Sequence, residues 1–166
     1  MKLEEGKERF IQSWGTLGSA WGINRTMAQI HALLLVSPEP LSAQEIMDEL
    51  KISLGNANMN LRALVDWGLI YKHHKPGERK DFFVAEKDMW VVVKKIAAQR
   101  KKRELEPVLK VLEEVESVEG TSPEAEAFKN VIKDIRMFSE NANKSLETFI
   151  QSDSNWFMST FMKMMR

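Results

Sequence analysis

Between Leu41 and Ala85 the chain has room for two short capped helices and a hairpin, and for almost nothing else. Ser42 and Glu45 stand three apart, the spacing of a capping box, in which the serine hydroxyl and the glutamate carboxylate each satisfy an orphan backbone donor. A helix is therefore expected from Ser42, with Ile46, Met47 and Leu50 on one face and Lys51 in its last turn, where a cation suits the helix dipole. Ser53 can cap a second helix that carries Leu54, Ala57, Leu61, Leu64 and Val65 on one face, and Gly68 is placed to end it in the left-handed conformation. Two β-rich runs follow, Leu69 to Lys75 and Arg79 to Ala85, separated by the turn residues Pro76, Gly77 and Glu78. Helix, tight turn, helix and hairpin in this order is the layout of a winged helix-turn-helix.

At 100° per residue, the side of the second helix away from its apolar stripe carries Asn56, Met59, Asn60 and Ala63, with Gly55 and Arg62 at its margins. Such a face is polar but hardly charged. Asparagine can pair with adenine through two bonds and arginine with guanine or phosphate, which is chemistry suited to base edges. An ordinary solvated helix would look similar in isolation, but the capped helix before it and the hairpin after it favour base reading. In the hairpin tip Lys72, Lys75, Arg79 and Lys80 outnumber Glu78 and Asp81, so the wing is expected to contact phosphates or the minor groove.

The run from Trp14 to about Pro107 resembles the GbsR-type branch of the MarR-like transcriptional regulators. Its most specific pieces are NRTMAQIHALL from Asn24, ISLGNANMNLRALVDWGLI from Ile52 and GERKDFF from Gly77. The resemblance implies a homodimeric regulator of transcription, a repressor or an activator, with Asn56, Asn58, Asn60 and Arg62 on the recognition helix and a wing around Arg79. With the residue-level reading, the candidate DNA contacts are Ser53, Gly55, Asn56, Asn58, Met59, Asn60 and Arg62 from the helix and Lys72, Lys75, Arg79 and Lys80 from the wing.

A chain of 166 residues with 43% hydrophobic content can bury one core, and its 24 basic and 24 acidic residues argue against a strongly basic nucleic-acid coat protein. The absence of cysteine excludes disulfides, thiolate catalysis and Cys-based metal sites, and fits a reducing cytoplasm. The apolar run Ile30 to Val36 is far short of the roughly 20 residues that span a bilayer, and the chain opens with charges, so neither a membrane segment nor a secretory leader is expected. No nucleophile elbow, phosphate-binding glycine loop or paired catalytic carboxylates occur, so no enzymatic activity and no cofactor are expected. His31 lies in an apolar helix, while His73 and His74 are adjacent on a strand, where side chains point to opposite faces and cannot readily share a metal.

Long helices flank this region. Phe10, Trp14, Leu17 and Trp21 form an aromatic stripe before Gly22; Asn24 then caps a helix with Met27, Ile30, Leu33 and Leu34 toward the core, stopped by Ser37, Pro38 and Pro40. From Asp88 to Val118 a helix of some length is expected, with Pro107 kinking or breaking it near Arg103 to Glu106. Its basic run Arg100 to Arg103 gives way to Glu104, Glu106 and further glutamates, either as a DNA-facing end or as a solvated face with pairs along the helix. Ser122 and Pro123 start a last long helix whose Phe128, Val131, Ile132, Ile135, Phe138, Ala142, Leu146, Phe149 and Ile150 share a face.

The expected division is an N-terminal helix contributing to dimerisation (1–23), a winged helix-turn-helix (24–87) and long helices for dimerisation (88–166), a mainly α architecture with a small β wing. A two-fold dimer would bury the long apolar faces and set two recognition helices on successive major-groove turns of a pseudo-palindromic duplex. The Met- and aromatic-rich end, Trp156 to Met165, is expected as a short helix across that dimer, with a peptide-binding or membrane-touching surface as the alternative. Some regulators that this chain resembles respond to choline or related quaternary ammonium compounds; Trp14, Trp21, Trp67 and Trp90 are the rings available to such a cation, and none is assigned. A dimeric helical scaffold and a non-specific architectural DNA-binding protein remain the rival readings.

Overall fold

The computed structural model describes residues 1–153, so the expectation for Trp156 to Met165 lies outside the described residues. The chain forms two compact units, one from Met1 to Val92 and one from Val93 onward.

The first unit holds α1 (Leu3–Ala20), α2 (Arg25–Val36), β1 (Leu41–Ser42), α3 (Ala43–Leu50), α4 (Leu54–Asp66), β2 (Ile70–His73) and β3 (Phe82–Ala85). Caps set most of its helix starts. Asn24 accepts from the Met27 N–H at 3.1 Å, and at α3 both halves of the Ser42/Glu45 box are made, with the Ser42 N–H donating to Glu45 Oε2 at 2.7 Å. That carboxyl is held below its ordinary range, first by the Ser42 hydroxyl and then by the Ser42 backbone N–H. At the other end of α3, Lys51 is the C-cap itself, left-handed at φ 54°, rather than a last-turn residue. Gly68 at φ 69° follows α4 as expected.

Leu41 and Ser42 add a third strand that the sequence does not announce: they pair antiparallel with Phe83 and Phe82, giving the order β1-β3-β2. Ser42 thus serves at once as strand partner and helix cap. Around this sheet the core is made by Ile30 and Leu34 of α2, Ile46 of α3, Leu61 and Leu64 of α4 and Ile70 of β2, all essentially inaccessible to solvent. Each such side chain contributes roughly 1.5–3 kcal/mol through burial.

Helix α1 meets α2 through Ile11, Gly15 and Gly18, and of its aromatic stripe Trp14 lies against His31 of α2. A Cβ on Gly18 would lie 2.6 Å from Ala28 Cβ, so the two backbones approach more closely than any side chain would allow. Phe10 and Trp14 lie half-buried beside this contact, their ring centroids 5.4 Å apart, while Leu17 and Trp21 are exposed. The far end of α2 is closed by Lys87, whose ammonium donates to the carbonyls of Leu34, Leu35 and Ser37 at 2.6–3.0 Å, a cation on orphan acceptors where the helix dipole is negative. His31, in the middle of α2, is only 3% exposed, and its Nε2 has no hydrogen-bond partner. Burial, with a smaller push from Lys87, lowers its pKa to about 4, so it is neutral at pH 7.

The second unit continues α5 (Met89–Arg100) through a π-helical turn (Lys101–Leu105) into α6 (Glu106–Glu116), and α7 (Pro123–Gln151) follows. Pro107 sits in the first turn of α6 and lacks the N–H that would bond back along the helix. The wider π turn immediately before it absorbs that mismatch, at the place where a kink is expected from sequence. Ser122 caps α7 through the Ala125 N–H at 3.2 Å. Charges on these helices pair among themselves: Arg100 with Glu104, Lys101 with both Glu106 and Glu147, and Arg136 with Glu116 and Glu140. The basic run is thus partly neutralised along its own helix, which favours the solvated, self-paired face over a DNA-facing end. Val131 (57% exposed), Ile135 and Phe138 (75% exposed) leave α7 with an open apolar row.

Candidate nucleic-acid interface

Helix α4 is held at its start by Ser53, whose Oγ accepts from the Asn56 N–H at 3.2 Å, so this hydroxyl is engaged with the backbone. Ala57, Asn60, Leu61 and Leu64 are buried. Gly55, Asn58, Met59, Arg62 and Asp66 are exposed, and Asn56 and Ala63 are half-buried. Successive residues turn by 100°, so positions 55, 59, 62 and 66 fall on one line along the rod. The outward face is rotated by roughly a quarter turn from the one expected around Asn56, Met59, Asn60 and Ala63.

Asn60 requires a correction. It is 2% exposed and cannot present itself outward; its Nδ2 donates to the Asn56 carbonyl oxygen at 2.9 Å and to Asn56 Oδ1 at 2.7 Å. A short polar side chain that finds two acceptors one turn back can enter a core without leaving its donors unpaired, and this is why polarity misplaces it. Leu54 differs in the opposite sense. Counted with the apolar stripe, it is half exposed at the first helical residue, so the buried face begins at Ala57.

The wing is the segment between β2 and β3, registered as Ile70 with Ala85 through His73 with Phe82. Its strands are shorter than expected, leaving the tip from His74 to Asp81, with Gly77 left-handed at φ 84°. The cations of this region divide into two kinds. Lys72 is bonded to Asp81 at 2.7 Å, which together with His74 holds that carboxyl below its ordinary range; Lys75 lies 4.1 Å from the Phe82 ring centroid and Lys80 5.2 Å from it. Lys75 also reaches the Pro40 carbonyl oxygen at 3.4 Å. Arg62 and Arg79 are exposed and have no partner among the described residues. His73 and His74 are exposed on the wing.

Between helix and wing runs a cleft of about 350 Å³, lined by Asn58, Arg62 and Asp66 on one side and Lys72, Asp81 and Phe83 on the other. The arrangement offers a helical edge with the Asn58 amide, the Met59 thioether and the Arg62 guanidinium, flanked by a basic hairpin. Those are groups that bond to base edges and phosphates. Among the described residues, no helix is long and apolar enough to cross a membrane.

Comparison with known proteins agrees with this geometry. Residues 21–81, from the end of α1 through the wing tip, match the model of the MarR family. A solved structure described as that of a transcriptional regulator is similar over 87% of this chain and 95% of its own, with a TM-score of 0.67 at 16% sequence identity. No curated protein matches the sequence. The capped α3–α4 pair and the hairpin that follows it form a winged helix-turn-helix, and most of that module lies within the stretch that is similar to the MarR family.

Proposed function

We propose that the protein is a sequence-specific, DNA-binding transcriptional regulator of the GbsR-type branch, acting in the cytoplasm as a homodimer on a pseudo-palindromic site. The observation that carries this reading is the outward face of α4, where Gly55, Asn58, Met59 and Arg62 stand clear of the core beside a wing whose Arg79 is unpaired among the described residues. With zero net charge overall, affinity for duplex must come from such local groups. Arg62 and Asn58 would read base edges while Arg79 takes a phosphate; Lys72, Lys75 and Lys80, tied to Asp81 and Phe82, add positive potential and hold the wing's shape.

The homodimer is supported by the apolar row Val131, Ile135 and Phe138 on α7, a row too hydrophobic to remain in water by preference. A dyad would repeat the reading face at about 34 Å, one pitch of duplex. An effector that alters the angle between long helices would then shift the binding-competent population, and a small quaternary ammonium compound is the effector class proposed.

Selection of bound sites from random duplexes by the full-length protein, at one stated salt concentration, tests the reading. The expected product is a motif with two inverted half-sites one helical turn apart. A folded protein that enriches no motif overturns it.

A further inference from the structure

The bond between Asn60 and Asn56 does more than bury a polar group, because its chemistry fixes which way round the Asn56 amide stands. The Asn60 amide atom 2.9 Å from the Asn56 main-chain carbonyl must be nitrogen, since two oxygens would repel there. The same nitrogen lies 2.7 Å from the side chain of Asn56, so the Asn56 atom that faces it must be the acceptor, Oδ1. Both Nδ2 hydrogens of Asn60 are thereby used. Asn60 is 2% exposed, so Oδ1 of the half-buried Asn56 is turned toward the protein and its Nδ2, unpartnered among the described residues, is the free end of the fork.

We propose that Asn60 is a positioning residue that locks Asn56, half-buried in the first turn of α4 beside its outward face, as a hydrogen-bond donor toward DNA, so that this position selects an acceptor edge. The proposal rests on the regulator reading above. An asparagine free to present both ends of its amide pairs with adenine, giving a donor to N7 and an acceptor to the N6 amino group. With Oδ1 withdrawn, adenine offers the donor one acceptor, N7, beside an amino group that repels it, whereas guanine offers N7 and O6, both acceptors, and thymine offers O4. The expected preference opposite Asn56 is therefore guanine or thymine, with adenine and cytosine disfavoured.

Site selection with full-length wild type, Asn56→Ala and Asn60→Leu tests this. Asn56→Ala locates the position by flattening it. Wild type is expected to hold guanine or thymine there by about fivefold or more over adenine. Asn60→Leu, which keeps the volume but frees the amide, is expected to admit adenine at that position and leave the others unchanged. A purely structural role for Asn60 would lower affinity or stability without altering preference at one base. Adenine or cytosine opposite Asn56 in wild type overturns the proposal whether or not Asn60→Leu folds. So does a folded Asn60→Leu with unchanged preference, or an Asn56→Ala that flattens nothing. Each of these leaves the regulator reading intact, whereas failure of wild type to enrich any motif removes that reading itself.

Discussion

Lowering the pH should destabilise the first unit through His31, by an amount that the structure sets. The side chain is 3% exposed, packs with Trp14 at a ring-centroid distance of 6.2 Å and leaves Nε2 unbonded. In the folded protein its pKa is about 4, against 6.5 for a free histidine. Between those values the unfolded chain binds a proton that the native state refuses, so stability falls as pH falls through the window from 6.5 to 4 and is fully retained above it. Going from pH 7.5 to pH 5 should cost about 2 kcal/mol, with a ceiling of about 3 kcal/mol at still lower pH. Urea unfolding of wild type and His31→Leu at both pH values, at one protein concentration, isolates this contribution, because the carboxylates titrate equally in both proteins. The expected result is a pH-dependent loss about 2 kcal/mol smaller in His31→Leu, with little or no penalty at pH 7.5, since an unpaired buried nitrogen is removed. Parallel pH dependences in the two proteins would show that His31 is not held neutral by its burial and by Lys87.

Gly18→Leu should destabilise by roughly 1–3 kcal/mol or more, because even its Cβ collides with Ala28 across the α1–α2 contact, whereas Gly55→Ala, with open space around it, should stabilise α4 by up to about 1 kcal/mol; shifts of the urea midpoint in opposite directions check both. Arg79→Ala should weaken binding to all duplexes alike and reduce the slope of log K against log salt by roughly one, read from titrations at several salt concentrations.

Much of the fold was legible because its punctuation is local. Asn24, Ser42 with Glu45, Ser53 and Ser122 each cap a helix through atoms three residues away, and Pro107 marks the π turn beside it. What stayed hidden depends on contacts distant in sequence or on burial. Strand β1 is two residues long and exists through its pairing with Phe82 and Phe83. Lys87 finds the end of α2 from some fifty positions away. Within the candidate site, the spacing of α4 was readable and its rotation was not. Three asparagines look alike in sequence, yet Asn58 is exposed, Asn56 half-buried and Asn60 buried, because Asn60 alone supplies both amide hydrogens to the preceding turn. The lysines of the wing likewise read as equal cations, although Asp81 and the Phe82 ring occupy three of them.

Under the proposed function, the exposed edge of α4 reads base pairs. Titrating wild type and Arg62→Ala against the selected duplex and every single-base variant of it, at one salt concentration, tests this most directly. Arg62→Ala is expected to lose roughly 1–3 kcal/mol of discrimination at one pair of dyad-related positions and to keep its preferences elsewhere. An Arg62→Ala protein that binds every variant with unchanged relative affinities would contradict it.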